Sequence, residues 1–295
     1  MPKPMPAVPL QQLSDTLSEI VARAAPSVVA VHSARSRSSG FFWRPGLIVT
    51  ADEPLDDEGE IAVVLPGGEA AAATLVGRDP TTDVALLRVD RTKSPPVTLD
   101  SPSLATGALA WTIGSLHGAS IAAFGTVSFV GGAWRSFRGG EIDARIDLDL
   151  SLRRAGEGGV VLDASGRTFG MAVLGPRRRV LVIPAATIER VAATLETHGK
   201  VGRGYLGLGL QPTKLDGDDG LGVMVMSVDP NGPGAAAGIR QGDIILQWND
   251  KEIQGVRMLL RALGPDTVGT TIKLTLRRGG EPAEARLTVR ERPAA

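Results

Sequence analysis

The stretch that most constrains this chain runs from Ile146 to Met171. Ile146, Leu148, Leu150 and Leu152 alternate with Asp147, Asp149 and Ser151, the two-residue period of a half-buried strand. Val160 to Leu162, Asp163-Ala164-Ser165-Gly166 and Phe169 to Leu174 then read as strand, tight turn, strand. Between these halves lies Ala155-Gly156-Glu157-Gly158-Gly159, whose glycines admit backbone conformations that other residues avoid. A small-residue turn between two core-feeding strands presents one side chain, Glu157, and several backbone N–H groups.

The same strand rhythm recurs along the first two thirds of the chain. Val28 to Val31, Gly46 to Thr50, Glu60 to Leu65, Ala72 to Val76, Val84 to Val89, Ala108 to Ile113 and Ile121 to Val130 are short apolar runs separated by turn residues. Arg35 to Gly40 reads as a polar loop. Many short strands at this spacing predict an all-β barrel or sandwich. Two helices interrupt the pattern. Ser14 caps a first one that ends near Pro26, and Pro184 to Thr197 forms a second with Ile188, Val191 and Leu195 on one face. With 295 residues the chain is long enough for two domains at about 150 residues each. Lys+Arg and Asp+Glu balance at 32 each, so no global field draws in nucleic acid or an anionic membrane. The absence of cysteine excludes disulfides and thiolate chemistry.

Several motifs in order resemble the HtrA/DegP type of trypsin-like protease. There the central turn reads Asn-Pro-Gly-Asn-Ser-Gly-Gly-Pro-Leu. Laid on it from Gly158-Gly159 and the Asp163-x-x-Gly166 turn, this chain has Arg153-Arg154-Ala155-Gly156 for Asn-Pro-Gly-Asn, Glu157 for the serine and Val160 for the proline. Ser39-Gly40-Phe41 resembles the family's Gly-Ser-Gly-Phe. Gly77-Arg-Asp-Pro-Thr-Thr-Asp-Val-Ala-Leu-Leu-Arg88 is close to its Gly-Arg-Asp-x-x-Thr-Asp-Leu-Ala-Val-Leu-Lys. The resemblance implies two packed six-stranded trypsin-like β-barrels over residues 13–200, after a disordered tail of residues 1–12.

It also implies chemistry that these residues no longer supply. A serine protease needs a hydroxyl nucleophile, an imidazole to move its proton and a carboxylate to hold the imidazole. Val49-Thr-Ala-Asp-Glu-Pro-Leu55 matches the family's Leu-Thr-Asn-Asn-His-Val-Val, which puts Glu53 at the histidine position. Asp83 matches the family aspartate, and Glu157 stands for the nucleophile. The oxyanion donors would be the N–H groups of Ala155 and Glu157, beside a carboxylate that opposes an oxyanion. Of the three histidines, only His117, with Ser115 and Ser120 nearby, is a loop candidate for rescue; an exposed loop histidine is the plainer reading. Three clustered acids must share a proton, turn a side chain to water or recruit a cation, for which Arg153 and Arg154 are nearest.

From Val201 the composition resets, and residues 201–295 resemble an α+β PDZ domain. Gly232-Pro-Gly-Ala-Ala-Ala-Gly-Ile-Arg-Gln-Gly-Asp-Ile-Ile-Leu246 is the most specific mark. PDZ domains bind peptides by strand addition. The resemblance assigns the carboxylate loop to Tyr205, Leu206 and Gly207, the pairing strand to Leu208, Gly209 and Leu210, and the apolar pocket to Val256, Leu259 and Leu260. These leucines either line the pocket or fill the core, and the helix face alone leaves that open. Asp216-Gly-Asp-Asp-Gly220 is similar to a calcium loop, but its twelfth position is Ser227, so a hairpin tip is the better reading. Arg177-Arg178-Arg179 reads as a solvated turn, with no aromatics interleaved to stack bases.

The expectation is therefore an inactive HtrA-like pseudoprotease that binds peptides, protein C-termini or unfolded protein, with no cofactor, no metal, no nucleic acid and no membrane segment. One alternative is a serine endopeptidase acting through non-standard residues; another is a cation-binding or sensing site at Glu53, Asp83 and Glu157. Family resemblance implies a homo-oligomer, commonly a trimer, although Met1 to Ser39 holds none of the aromatics often used for that contact. The compartment stays open: cytoplasmic as written, cell envelope or periplasm if an export segment was removed.

Overall fold

A computed structural model of the protein describes residues 10–56, 59–90, 93–215 and 220–293. Its contacts divide the chain into two compact units, Met1–Trp134 with Ile142–Lys200 and Arg135–Glu141 with Val201–Ala295.

The first unit holds two closed barrels of six strands each, as expected. The first barrel comprises β1 (Val28–His32), β2 (Arg37–Arg44), β3 (Leu47–Thr50), β4 (Ile61–Val64), β5 (Ala70–Asp79) and β6 (Val84–Val89), paired in the order β1-β2-β3-β6-β5-β4. Val29, Val31, Phe42, Ile48, Val63, Ala85 and Leu87 fill it. The second barrel comprises β7 (Leu109–Leu116), β8 (Ala119–Gly131), β9 (Arg145–Asp149), β10 (Val160–Asp163), β11 (Thr168–Leu174) and β12 (Val180–Pro184), in the order β9-β12-β11-β10-β7-β8. Ile146, Leu148, Val161, Phe169, Val180 and Val182 are in its core.

Helix α1 (Leu10–Ala24) precedes the first barrel, and α2 (Ala185–His198) follows the second. Helix α2 packs on β5, β6 and β11 with Ile188, Val191, Ala192 and Leu195 buried. This explains why β6 reads as a continuous apolar run from Val84 to Leu87, before the exposed Arg88. Ala85, Leu87 and Val89 enter the barrel core, while the opposite face of the strand lies under the helix.

Two expectations need correction. Leu10 to Gln12 are helical, not tail: all three are strong helix formers, and Gln11 Nε2 donates to Asp15 Oδ1 at 2.8 Å, one turn on. The polar loop at Arg35 to Gly40 is mostly strand, since β2 begins at Arg37 and pairs from His32↔Arg37 to Val28↔Phe41. Ser38 and Ser39 are buried there.

The second unit carries a sheet in the order β13 (Leu208–Lys214), β14 (Leu221–Val228), β15 (Ile244–Trp248), β16 (Thr271–Arg278) and β17 (Glu281–Thr288). Helices α3 (Pro233–Ala236) and α4 (Val256–Ala262) accompany it. Val223, Val225, Ile245, Ile272, Leu274 and Leu276 form its core. Strand β13 pairs on one side only, with β14, which leaves it at an edge of the sheet. Among the described residues no helix is long and apolar enough to cross a membrane.

Candidate functional site

The turn after β9 is built as a short 3-10 helix, Arg154–Gly156. Gly156 N donates to Arg153 O at 2.8 Å, and Glu157 N donates to Arg154 O at 3.1 Å. Ser39, from β2, fixes this turn to the first barrel. Its N–H donates to Glu157 O at 2.7 Å, its hydroxyl donates to Ala155 O at 2.6 Å and accepts from Ser115 N at 2.9 Å. Thr50 Oγ1 donates to Ser39 O at 2.7 Å. The Ser39 hydroxyl, which helped make this part of β2 look like a loop, is thus matched by backbone groups more than 70 positions away in sequence, while the buried Ser38 hydroxyl has no hydrogen-bond partner.

Glu157 points into the fold rather than out of it. The residue is 4% exposed, and Oε1 accepts a hydrogen bond from Leu174 N at 3.0 Å. Burial raises its pKa above the ordinary carboxylate value; the Leu174 N–H opposes this, the charge of Glu53 adds to it, and Arg154 and Arg178 work against it. The side chain expected at the nucleophile position is therefore a buried carboxyl with its own backbone partner. The N–H of Glu157, one of the two expected oxyanion donors, is directed to Arg154 O instead of to a ligand.

Asp83 adopts a left-handed backbone with φ of 59°. Its Oδ1 accepts from Glu53 N at 2.7 Å, so Glu53 meets Asp83 through its backbone, and the Glu53 residue itself is exposed. Part of Asp83 reaches the surface, but its carboxyl is enclosed. Burial pushes that carboxyl from 3.8 to about 7, against the bond from Glu53 N and with help from the charges of Glu157, Asp52 and Glu53. Two of the three clustered acids are therefore held above their usual range. The neighbouring Asp52 is buried and paired with Arg78 Nε at 2.5 Å, a contact that sequence reasoning missed because nothing local signals it.

The histidine rescue finds no support in the geometry. The His117 ring lies edge-on to that of His32 at 5.6 Å, and Ser115 Oγ is buried without a hydrogen-bond partner. Burial and the nearby Arg37 lower the pKa of His32. Among the described residues no three His, Cys, Asp or Glu side chains are arranged to hold a metal ion. The acidic run from Asp216 falls at residues 216–219, outside the described residues.

In the second unit, Gly207 carries a φ of +70°, and a Cβ there would come within 2.9 Å of Gly232 Cα. Its carbonyl accepts from Asp229 N at 2.8 Å, and Leu206 O accepts from Gly234 N at 2.8 Å. Tyr205 Oη donates to Asp229 Oδ2 at 2.8 Å, which fixes the start of the loop. Leu206 and Leu259 lie in the core at 3% and 0% exposure. Leu208, Leu210 and Val256 are half-buried against that core, and Leu260 on α4 is 51% exposed. Gly209 sits at a register shift in β13 opposite Ser227. Of the expected pocket and strand residues, Leu208, Leu210, Val256 and Leu260 thus retain surface near the β13 edge, whereas Leu259, like Leu206 of the expected loop, does not.

Comparison with known proteins follows the same division. The family described as trypsin-like peptidase domain matches residues 38–171, and the PDZ domain family matches residues 204–289. A probable periplasmic serine endoprotease, DegP-like, of Bartonella henselae is 32% identical over 269 residues, covering 86% of this chain and 53% of the relative. A protein of the same description from Rhizobium meliloti is 28% identical, covering 88% of this chain and 54% of the relative. The chain thus spans about half the length of the curated relatives it matches. A crystal structure of the serine endoprotease from Yersinia pestis superposes with a TM-score of 0.70 at 27% identity, covering 98% of this chain and 100% of that one. The HtrA-type protease AlgW with tripeptide gives 0.66 at 25% identity, covering 94% and 98%.

Proposed function

From the premise that the chain is HtrA-like, a trypsin-like peptidase fold joined to one PDZ domain, we propose that it binds peptides or unfolded protein without cleaving them. The observation that carries this reading is Glu157, whose carboxylate is buried on Leu174 N and whose N–H is turned to Arg154 O. A carboxylate forms no ester acyl-enzyme, Glu53 has no hydroxyl beside it to activate, and the oxyanion donor is occupied within its own turn. Loss of triad members alone lowers rates by roughly four to six orders of magnitude. The comparison proteins are described as serine endoproteases; this chain keeps their frame and lacks two of their three reacting residue types. A scaffold, regulatory or chaperone-like role follows, with residues 13–200 as a binding body and 201–295 as the peptide-binding PDZ domain. A fluorophosphonate probe, which labels activated serines, should leave the protein unmodified.

In this reading, the edge of β13 takes the peptide as an added strand, the Tyr205-Leu206-Gly207 loop offers N–H groups to a terminal carboxylate, and Leu208, Leu210, Val256 and Leu260 contact its apolar side chains. Apolar C-terminal peptides should be preferred, because the pocket helix offers Val and Leu. Gly207→Val should abolish binding by blocking the loop. Leu260→Lys, at an exposed position with little folding cost, should weaken binding at least tenfold. Calorimetric titration of one C-terminal peptide into the three proteins checks this, and equal affinities would place the ligand elsewhere.

A further inference from the structure

Two arginine pairs flank the buried Glu157 carboxylate. Arg153 and Arg154 open the turn that leads to it, and Arg177 and Arg178 lie in the turn between β11 and β12, just beyond the Leu174 that binds it. Leu174 N donates to Glu157 Oε1 at 3.0 Å and Gly158 N donates to Ala172 O at 2.8 Å, so the end of β11 that leads into the second arginine turn lies against the turn that carries the first. The charges of Arg154 and Arg178 both act on the Glu157 carboxyl there. All four arginines are exposed.

Other arginines on this barrel are occupied. Arg145 and Arg179 both pair with Asp147, Arg167 pairs with Asp163 at 2.7 Å, and Arg190 pairs with Asp143 at 2.9 Å. Among the described residues, Arg153, Arg154, Arg177 and Arg178 are in no ion pair. The exposed Glu53 adds its charge to that of Glu157 there, and the enclosed Asp83 feels the charge of Glu157 as well. In a chain of zero net charge, this is a local surplus of cations.

The backbone of the second pair is a further, independent observation. Arg177 and Arg178 have φ of 57° and 58°, and Arg179 N closes the turn onto Pro176 O at 3.4 Å. Positive φ at both central residues of a two-residue hairpin turn is the arrangement that favours Asn-Gly, and a long side chain holds it at a cost. Strain of this kind gathers at functional sites. Here it places two guanidinium groups at the mouth where Asn-Gly would place none.

We propose that these four arginines form a docking site for an acidic peptide segment carrying two or more neighbouring Asp or Glu carboxylates. Guanidinium groups match carboxylates as bidentate forks, and all four positions are Arg rather than Lys. Cations spread over two loops suit anionic groups strung along an extended chain better than one compact anion. No aromatic residue lies in either arginine turn to stack a nucleobase.

The test is fluorescence anisotropy with the full chain and a labelled Glu-Gly repeat peptide whose C-terminus is amidated, so that it offers no carboxylate to the PDZ loop. Binding should weaken at least tenfold for the Gln-Gly counterpart, for the Arg154→Gln/Arg178→Gln double variant, and on raising salt from about 50 to about 300 mM. Arg177→Asn/Arg178→Gly separates function from folding. It should raise Tm by about 2–4 °C while cutting affinity at least tenfold. Equal affinity for the glutamine peptide, or binding unchanged in both double variants, would overturn the proposal. Tighter, arginine-dependent binding of a single-stranded oligonucleotide would overturn the peptide assignment.

Discussion

At pH 8 the Asp83→Asn protein is expected to be more stable than the wild type, by about 2–4 kcal/mol. The reason is a carboxyl enclosed by the fold. Burial holds Asp83 at about 7 where an ordinary carboxyl has 3.8. Below about pH 4 the group is protonated in both folded and unfolded chains, and it contributes no pH dependence. Between about 4 and 7 the folded state keeps a proton that the unfolded state has released, so stability falls as pH rises. Above about 7 the full cost is present. Asparagine removes the ionisation and still offers an Oδ1 to Glu53 N. Calorimetric melting at pH 4 and pH 8 should give nearly equal transitions at the lower pH and a variant higher by about 4–12 °C at the upper. An asparagine variant less stable at pH 8, or a difference independent of pH, would show that the carboxylate is well accommodated as an anion.

Gly158→Ala is expected to cost about 3–5 kcal/mol, enough to unfold a barrel of ordinary marginal stability. The residue has a φ of +84°, and an added Cβ would lie 2.2 Å from Ser39 O and 2.9 Å from Ala51 N. Both are backbone atoms, and Ser39 is the residue that holds the turn to the first barrel, so neither can move cheaply. The N–H of Gly158 also donates to Ala172 O at 2.8 Å. Gly67→Ala is the control: its φ is +95°, but nothing lies within 4 Å of an added Cβ. That variant should lose only about 1 kcal/mol. Chemical denaturation of the two proteins separates backbone conformation from crowding, and equal losses would mean that the turn has room.

These effects mark where sequence was legible and where it was not. Ten of the twelve barrel strands announce themselves by apolar runs between turn residues, β2 and β12 being the exceptions, and Gly158-Gly159 fixes the frame that identifies Glu157. What lay hidden depends on partners remote in sequence. Ser38 and Ser39 read as a polar loop because the groups that satisfy Ser39 come from Ala155, Ser115 and Thr50. The Asp52–Arg78 pair joins two segments with no shared local pattern. The direction of Glu157 is a rotamer set by Leu174 N, which no periodicity encodes. In α4, Leu259 and Leu260 are adjacent and equally apolar, yet one is in the core and the other is half-exposed. Only the angle of the helix against β13 separates them.

The most direct test of the central reading is hydrolysis of unfolded casein by purified protein, compared with Glu157→Ala at equal concentration. A chain that binds without cleaving predicts rates indistinguishable from buffer for both proteins. Steady casein hydrolysis that survives purification and disappears in Glu157→Ala would contradict it.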